Sequence, residues 1–182
     1  MPAETRRRRL WEHALSQYGY VTTEDAARLG VPAVALARLA SRGTLENIAR
    51  GLYRFLDAPR TSRDAYMEAV LWVGRDAVLS HDAVLALHDL AFANPRTIRV
   101  ATPHRVRKTR ARADITIIWA EVPPGDRIHY FAIPSTTVAR ALVDCRDLIT
   151  PDRLRDAAAE AHRQGLLLDQ EHRSVIDKLE AS

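Results

Sequence analysis

Cysteine is nearly absent from this chain, and its one thiol, Cys145, excludes both a disulfide framework and a four-thiolate zinc site. The neighbours Ala141, Leu142 and Val143 are apolar, so a buried thiol in a reducing compartment is expected. Long apolar runs are missing too. No stretch approaches the roughly 20 residues needed to span a bilayer, and the basic N-terminus leads into Trp11, Glu12 and His13 rather than into an apolar signal segment. The expectation is a cytoplasmic protein with no membrane contact. Internal repeats and low-complexity tracts are lacking, as are an HExxH pattern, a glycine-rich phosphate loop and a nucleophile-base-orienter grouping. Nothing in the residues asks for a cofactor, a metal or catalysis, so a non-enzyme is expected.

What is present is apolar material, 47% of 182 residues, enough for a core in one large domain or two small ones. Charge is distributed unevenly. Residues 1–60 hold 10 Arg and Lys against 6 Asp and Glu, whereas residues 61–182 hold 17 against 17, so the formal surplus of +4 belongs to the first third. That is the distribution expected of a segment that meets a polyanion.

Periodicity organises the same third. Leu10, Ala14, Leu15 and Tyr18 recur at helical spacing, predicting a helix over 6–18 that ends at Gly19. Thr22, with Asp25 three residues on, predicts the capped start of a second helix whose inner face is Ala26, Ala27 and Leu29 and which Gly30 stops. Pro32 suits the first turn of a third helix, with Leu36, Leu39 and Ala40 inward and Gly43 at its end. Leu45, Ile48, Leu52, Tyr53 and Phe55 then give two short strands around Ala49-Arg50-Gly51, a hairpin in the place of a wing. Residues 1–58 therefore read as a winged helix-turn-helix. Such a unit lays its third helix in the major groove, here with Ala33, Ala37, Arg38 and Ser41 outward. Arg38 is the only long donor on that face, so phosphate contacts fall to Arg6, Arg7, Arg8, Arg9, Arg42, Arg50 and Arg54, with Arg50 at the wing tip also placed for a minor groove. Winged helices also serve as protein-protein modules, and the residues leave that reading open.

Asp57 to Thr61 reads as a linker, and residues 62–182 as a mixed α/β domain, making the whole chain α+β. Within it a helix is predicted over 62–73. Ser80 is expected to cap another running to about Leu90, and Ser135 or Thr136 one that includes Val138 to Cys145. Pro151 opens a helix halted by Gly165, and a last one spans about Gln170 to Leu179, with only Val175, Ile176 and Leu179 to bury. Three strands are expected, at Thr97–Thr102, Ile115–Trp119 and Ile128–Ile133. His81 and His88 are seven residues apart, about 10 Å along a helix, too far to share an ion without other ligands. Arg140 and Asp144 are spaced for an i,i+4 pair. The run Arg99, Arg105, Arg107, Lys108, Arg110 and Arg112 has no acid among positions 99–112; its last five members form a candidate partner-binding surface.

The segments GYVTTEDAARLGV (19–31), LARLASRGTLENIARGLYRF (36–55), AVLSHDAVLALHDL (77–90) and IPSTTVARALVDC (133–145) together resemble the AbiEi-type, or type IV, antitoxins and transcriptional regulators. The resemblance spans nearly the whole chain. It rests on the wing strand with Tyr53 and Arg54, the helix start at Ser80 and His81, and the Arg140 to Asp144 helix. It implies a winged helix that represses its own operon by binding promoter DNA, and a C-terminal domain that neutralises a nucleotidyltransferase-like toxin. The alanine-rich outer face of the third helix departs from relatives that carry more Arg, Ser or Thr there. A stand-alone regulator without a toxin partner is the alternative, and oligomeric state is not legible from the residues.

Overall fold

The computed structural model describes residues 3–91, 93–106 and 112–181. The chain forms two compact units that divide between Trp72 and Val73.

The first unit contains α1 (Ala3–Leu15), β1 (Tyr20–Thr22), α2 (Thr23–Arg28), α3 (Ala33–Ser41), β2 (Leu45–Ala49), β3 (Leu52–Phe55) and nearly all of α4 (Asp64–Val73). The three helices and the hairpin occur where the periodicity places them. Not foreseen was β1, which pairs antiparallel with β3 (Tyr20 opposite Arg54, Val21 opposite Tyr53) and makes a three-stranded sheet of order β1-β3-β2. The core is Leu10, Ala14, Val21, Ala26, Val31, Leu36, Leu45, Tyr53 and Phe55, with the Trp11 ring edge-on to Phe55 at 5.0 Å between centroids.

Several inward expectations are corrected. The first helix stops at Leu15, whose side chain is exposed, because Tyr18 and Gly19 both take positive φ to turn the chain into β1. Ala27 faces solvent; the buried residues of α2 are Asp25 and Ala26. Pro32 stands at the N-cap of α3 rather than inside it.

The second unit is built on a five-stranded mixed sheet: β4 (Val78–Leu79), β5 (Ile98–Thr102), β6 (Ile115–Trp119), β7 (Arg127–Tyr130) and β8 (Ile133–Thr136), in the order β6-β5-β4-β8-β7. Its helices are α5 (Asp82–Leu87), α6 (Val138–Asp144), α7 (Pro151–Arg163) and α8 (Asp169–Glu180). The single strand expected over Ile128–Ile133 is instead a hairpin, because Phe131 and Ala132 both adopt positive φ and reverse the chain. Two expected caps move along by a residue or more. Ser80 still donates its N–H to the Arg99 carbonyl as an extension of β4, so His81 becomes the N-cap of α5, with φ 55° and no side-chain bond to the helix. Ser135 and Thr136 remain in β8, and Thr137 caps α6 by accepting from the Arg140 N–H. The last helix, α8, buries Val175 and Leu179 and packs on α7 and α6. Cys145 is fully buried, and burial, followed by the charges of Asp82 and Asp144, pushes its thiol up to about 12.

Candidate nucleic-acid interface

The helix-turn-helix is held by a capping box at its entry. The Thr22 hydroxyl accepts the Asp25 N–H at 3.0 Å, while the Asp25 carboxylate accepts the Thr22 N–H at 2.9 Å and its hydroxyl at 2.7 Å. The same carboxylate, 2% exposed, also accepts from Gln17 at 3.2 Å, lies 3.1 Å from His13 and pairs with Arg28. Burial alone pushes the Asp25 carboxyl up, but the bonds from Thr22 and Gln17 and the field of His13 outweigh it and hold the group below the usual carboxylate range. Asp25 thereby ties the end of α1 to the start of α2, and so fixes how α2 presents α3.

α3 buries Leu36 and rests Leu39 and Ala40 against the core, which turns Ala33, Val34, Ala37, Arg38 and Ser41 to solvent. Val34, 56% exposed, also lies on this outer face and was not among the residues the sequence singled out there. The Ser41 hydroxyl donates back to the Arg38 carbonyl at 2.9 Å. Arg38, Arg42 and Arg50 are exposed, and none makes an ion pair with the described residues. The wing is anchored to the start of α2. At its tip Gly51 has φ 78° and its carbonyl accepts from Thr23 N–H at 2.9 Å, while a bulge at Ile48 bends β2.

Arg54 is corrected. Expected on phosphate, its side chain is 1% exposed and points into the unit. It donates to the carbonyls of Phe55 (3.2 Å), Ala58 (3.3 Å) and Pro59 (2.9 Å) and to the Asp64 carboxylate (3.0 Å), with the Tyr20 ring 5.5 Å beneath its guanidinium. Asp64 in turn accepts from the Thr61 N–H and hydroxyl at 2.9 and 2.8 Å, and Tyr20 donates to Glu68 at 2.7 Å. Burial and Glu68 raise the Tyr20 phenol well above its ordinary range. The segment read as a linker is thus pinned to the wing, which is why α4 belongs with the first unit.

The N-terminal arginines divide. Arg7 pairs with Asp57 at 3.2 Å and Arg8 with Glu12 at 2.8 Å, both on the surface; Arg6 is half-buried and Arg9 exposed. In the second unit, Arg99 pairs with Asp82 and Arg112 with Asp114, so acids outside the run neutralise part of it. Arg105 is exposed, and Arg107, Lys108 and Arg110 lie outside the described residues. Arg140 makes the expected pair with Asp144 at 2.8 Å and a second with Asp126 at 3.2 Å. The His81 ring bonds the Ser80 hydroxyl at 3.1 Å, and His88 packs edge-on to Tyr130 at 4.3 Å, so the two imidazoles serve separate contacts. Among the described residues, no helix is long and apolar enough to cross a membrane.

Residues 8–56 match a family model described as "Transcriptional regulator, AbiEi antitoxin". Among solved structures, that of RV2827C protein from Mycobacterium tuberculosis aligns over 96% of this chain and 81% of that one, at 16% identity and a TM-score of 0.45. No curated protein matches the chain.

Proposed function

We propose that this chain, whose residues 8–56 match the family model described as "Transcriptional regulator, AbiEi antitoxin", binds double-stranded DNA in its own promoter and represses it. α3 enters the major groove, where Arg38 is the base reader and Ala33, Val34 and Ala37 offer apolar contact to thymine methyls. Arg8, Arg9 and Arg42 meet phosphates, and Arg50 reaches a phosphate or the minor groove from the wing tip. Arg6 and Arg7 sit nearer the core and are secondary. The observation that carries this reading is the contrast among the arginines: Arg54 is consumed internally, whereas Arg38, Arg42 and Arg50 stand exposed on α3 and the wing.

The second unit carries a separable activity, neutralisation of a nucleotidyltransferase-like toxin, with Arg105, Arg107, Lys108 and Arg110 as contact candidates and Arg112 partly screened by Asp114. Co-expression of the full chain with the product of the adjacent gene tests this, scoring growth rescue and co-purification beside a promoter-reporter assay. Repression together with rescue is expected. Repression without rescue would reduce the chain to a stand-alone regulator.

A further inference from the structure

The wing tip does not take its shape from its own strands. Of the two residues between β2 and β3, only the second, Gly51, has a positive φ, whereas the two-residue turns that follow strand twist need one at both positions or at the first. The bulge at Ile48 also breaks regular pairing on the β2 side. What holds the tip comes from α2. Thr22 ends β1 and stands opposite Leu52, so the next residue, Thr23, arrives opposite Gly51. Thr23 is also the first residue of α2, and its N–H is one of the donors a helix leaves without an internal partner. It donates to the Gly51 carbonyl at 2.9 Å. The side chain closes the same contact: a Cβ at Gly51 would lie 3.0 Å from the Thr23 Oγ1 and 3.7 Å from its Cγ2. Gly51 is therefore required twice, for its φ and for room.

We propose that Thr23 is a positioning residue that locks the wing tip to the start of α2, so that Arg50 is carried to DNA at a fixed distance from α3; this rests on the DNA-binding reading above. Thr22 caps α2 through Asp25, whose buried carboxylate also binds Gln17 just beyond α1. The wing tip and the helix pair that presents α3 thereby share one anchor at residues 22 and 23. Arg50 is exposed and immediately precedes the locked glycine, so its backbone is ordered before DNA arrives and less freedom is lost on binding. The consequence is selectivity for spacing. A target must offer the base edges met by α3 and the phosphate or groove met by Arg50 at one separation.

Thr23→Pro in the full chain tests this, because it removes the N–H and sets a ring carbon against the Gly51 carbonyl. The helix tolerates it: proline is favoured at the first helical position, and Thr22, at φ −100° and ψ 164°, already has the extended backbone that precedes proline. Amide hydrogen exchange of the free protein is expected to show lost protection over residues 49–52, with α1 and α3 unchanged. On a promoter duplex Thr23→Pro should weaken binding about three- to tenfold. Arg50→Ala, which weakens the wild type, should then add almost nothing in the Thr23→Pro background, whereas Arg38→Ala should cost the same in both. In a second pair, Gly51→Ala should weaken binding, and adding Thr23→Ala should regain part of the loss, because the hydroxyl that the new methyl meets is gone. Unchanged exchange over 49–52 in Thr23→Pro overturns the proposal. So does an Arg50→Ala loss equal in the two backgrounds, or a Gly51→Ala loss that Thr23→Ala does not relieve. A wild type that binds no duplex, although Thr23→Pro frees the tip, overturns the DNA-binding reading itself and the role of Thr23 with it.

Discussion

Arg54 donates to three backbone carbonyls and one carboxylate, and a residue in that position acts on stability. Arg54→Ala leaves Asp64 buried without its cation and strips three carbonyls of a donor, a loss of about 3–5 kcal/mol, read as a fall in the urea midpoint. Arg54→Lys should recover little, because an ammonium cannot span four acceptors from one place. Loss of DNA affinity with unchanged stability would instead return Arg54 to the interface. Asp25 makes a pH-dependent counterpart. Its carboxyl is depressed in the folded state, so its contribution is complete above the unfolded value of about 4 and disappears as pH falls through the lower folded value. Urea midpoints from about pH 6 down to about pH 3 should decline more steeply for the wild type than for Asp25→Asn. Equal slopes would show that the capping box is not the acid-sensitive element.

Among the elements' turns that carry a glycine, the one from α1 into β1 leaves the least room for a Cβ. Gly19 has φ +86°, and a Cβ there would lie 2.3 Å from the Ala58 Cβ, whereas Gly43, with φ +71°, has nothing within 4 Å. Gly43→Ala should cost about 1–2 kcal/mol for its backbone alone; Gly19→Ala should cost clearly more, because Ala58 is tethered by Arg54. Thermal midpoints of the two variants give the comparison, and equal losses would mean that the Ala58 turn yields freely. These contacts also explain what the sequence made legible. Helices with a local signature were readable: Thr22 with Asp25 marked α2, Pro151 and Gly165 bracketed α7, and Ala49-Arg50-Gly51 marked the wing. Features set by distant partners were not. β1 exists because β3 lies beside it, the Phe131-Ala132 reversal contains no glycine, and Thr137 outcompetes Ser135 and Thr136 as a cap because those two are held in the β8 ladder. The candidate site followed the same division. Exposure of Arg38, Arg42 and Arg50 follows from helix and hairpin period, while burial of Arg54 depends on Asp64, ten residues away and across an apparent linker.

At the scale of the whole molecule, the charge surplus of the first third and the family match of residues 8–56 are what support the proposed DNA binding. The second unit, with its own sheet, helices and core, is more than repression alone requires. Changing Arg105, Arg107, Lys108 and Arg110 to Ser in the full chain should abolish growth rescue against the adjacent gene product while promoter repression persists. Rescue unaffected by the four changes would place the contact elsewhere in that unit.

The most direct test of the central claim is fluorescence anisotropy of the full chain on a labelled duplex from its own promoter and on a scrambled duplex, over a salt series. Binding to both should fall steeply as salt rises, because arginines on phosphates release counterions. Arg38→Ala should cost about 1–3 kcal/mol on the promoter and much less on the scrambled duplex, while Arg50→Ala should weaken both. A folded chain that binds neither duplex at low salt, or an Arg38→Ala variant whose isotherms match the wild type on both, would contradict the account.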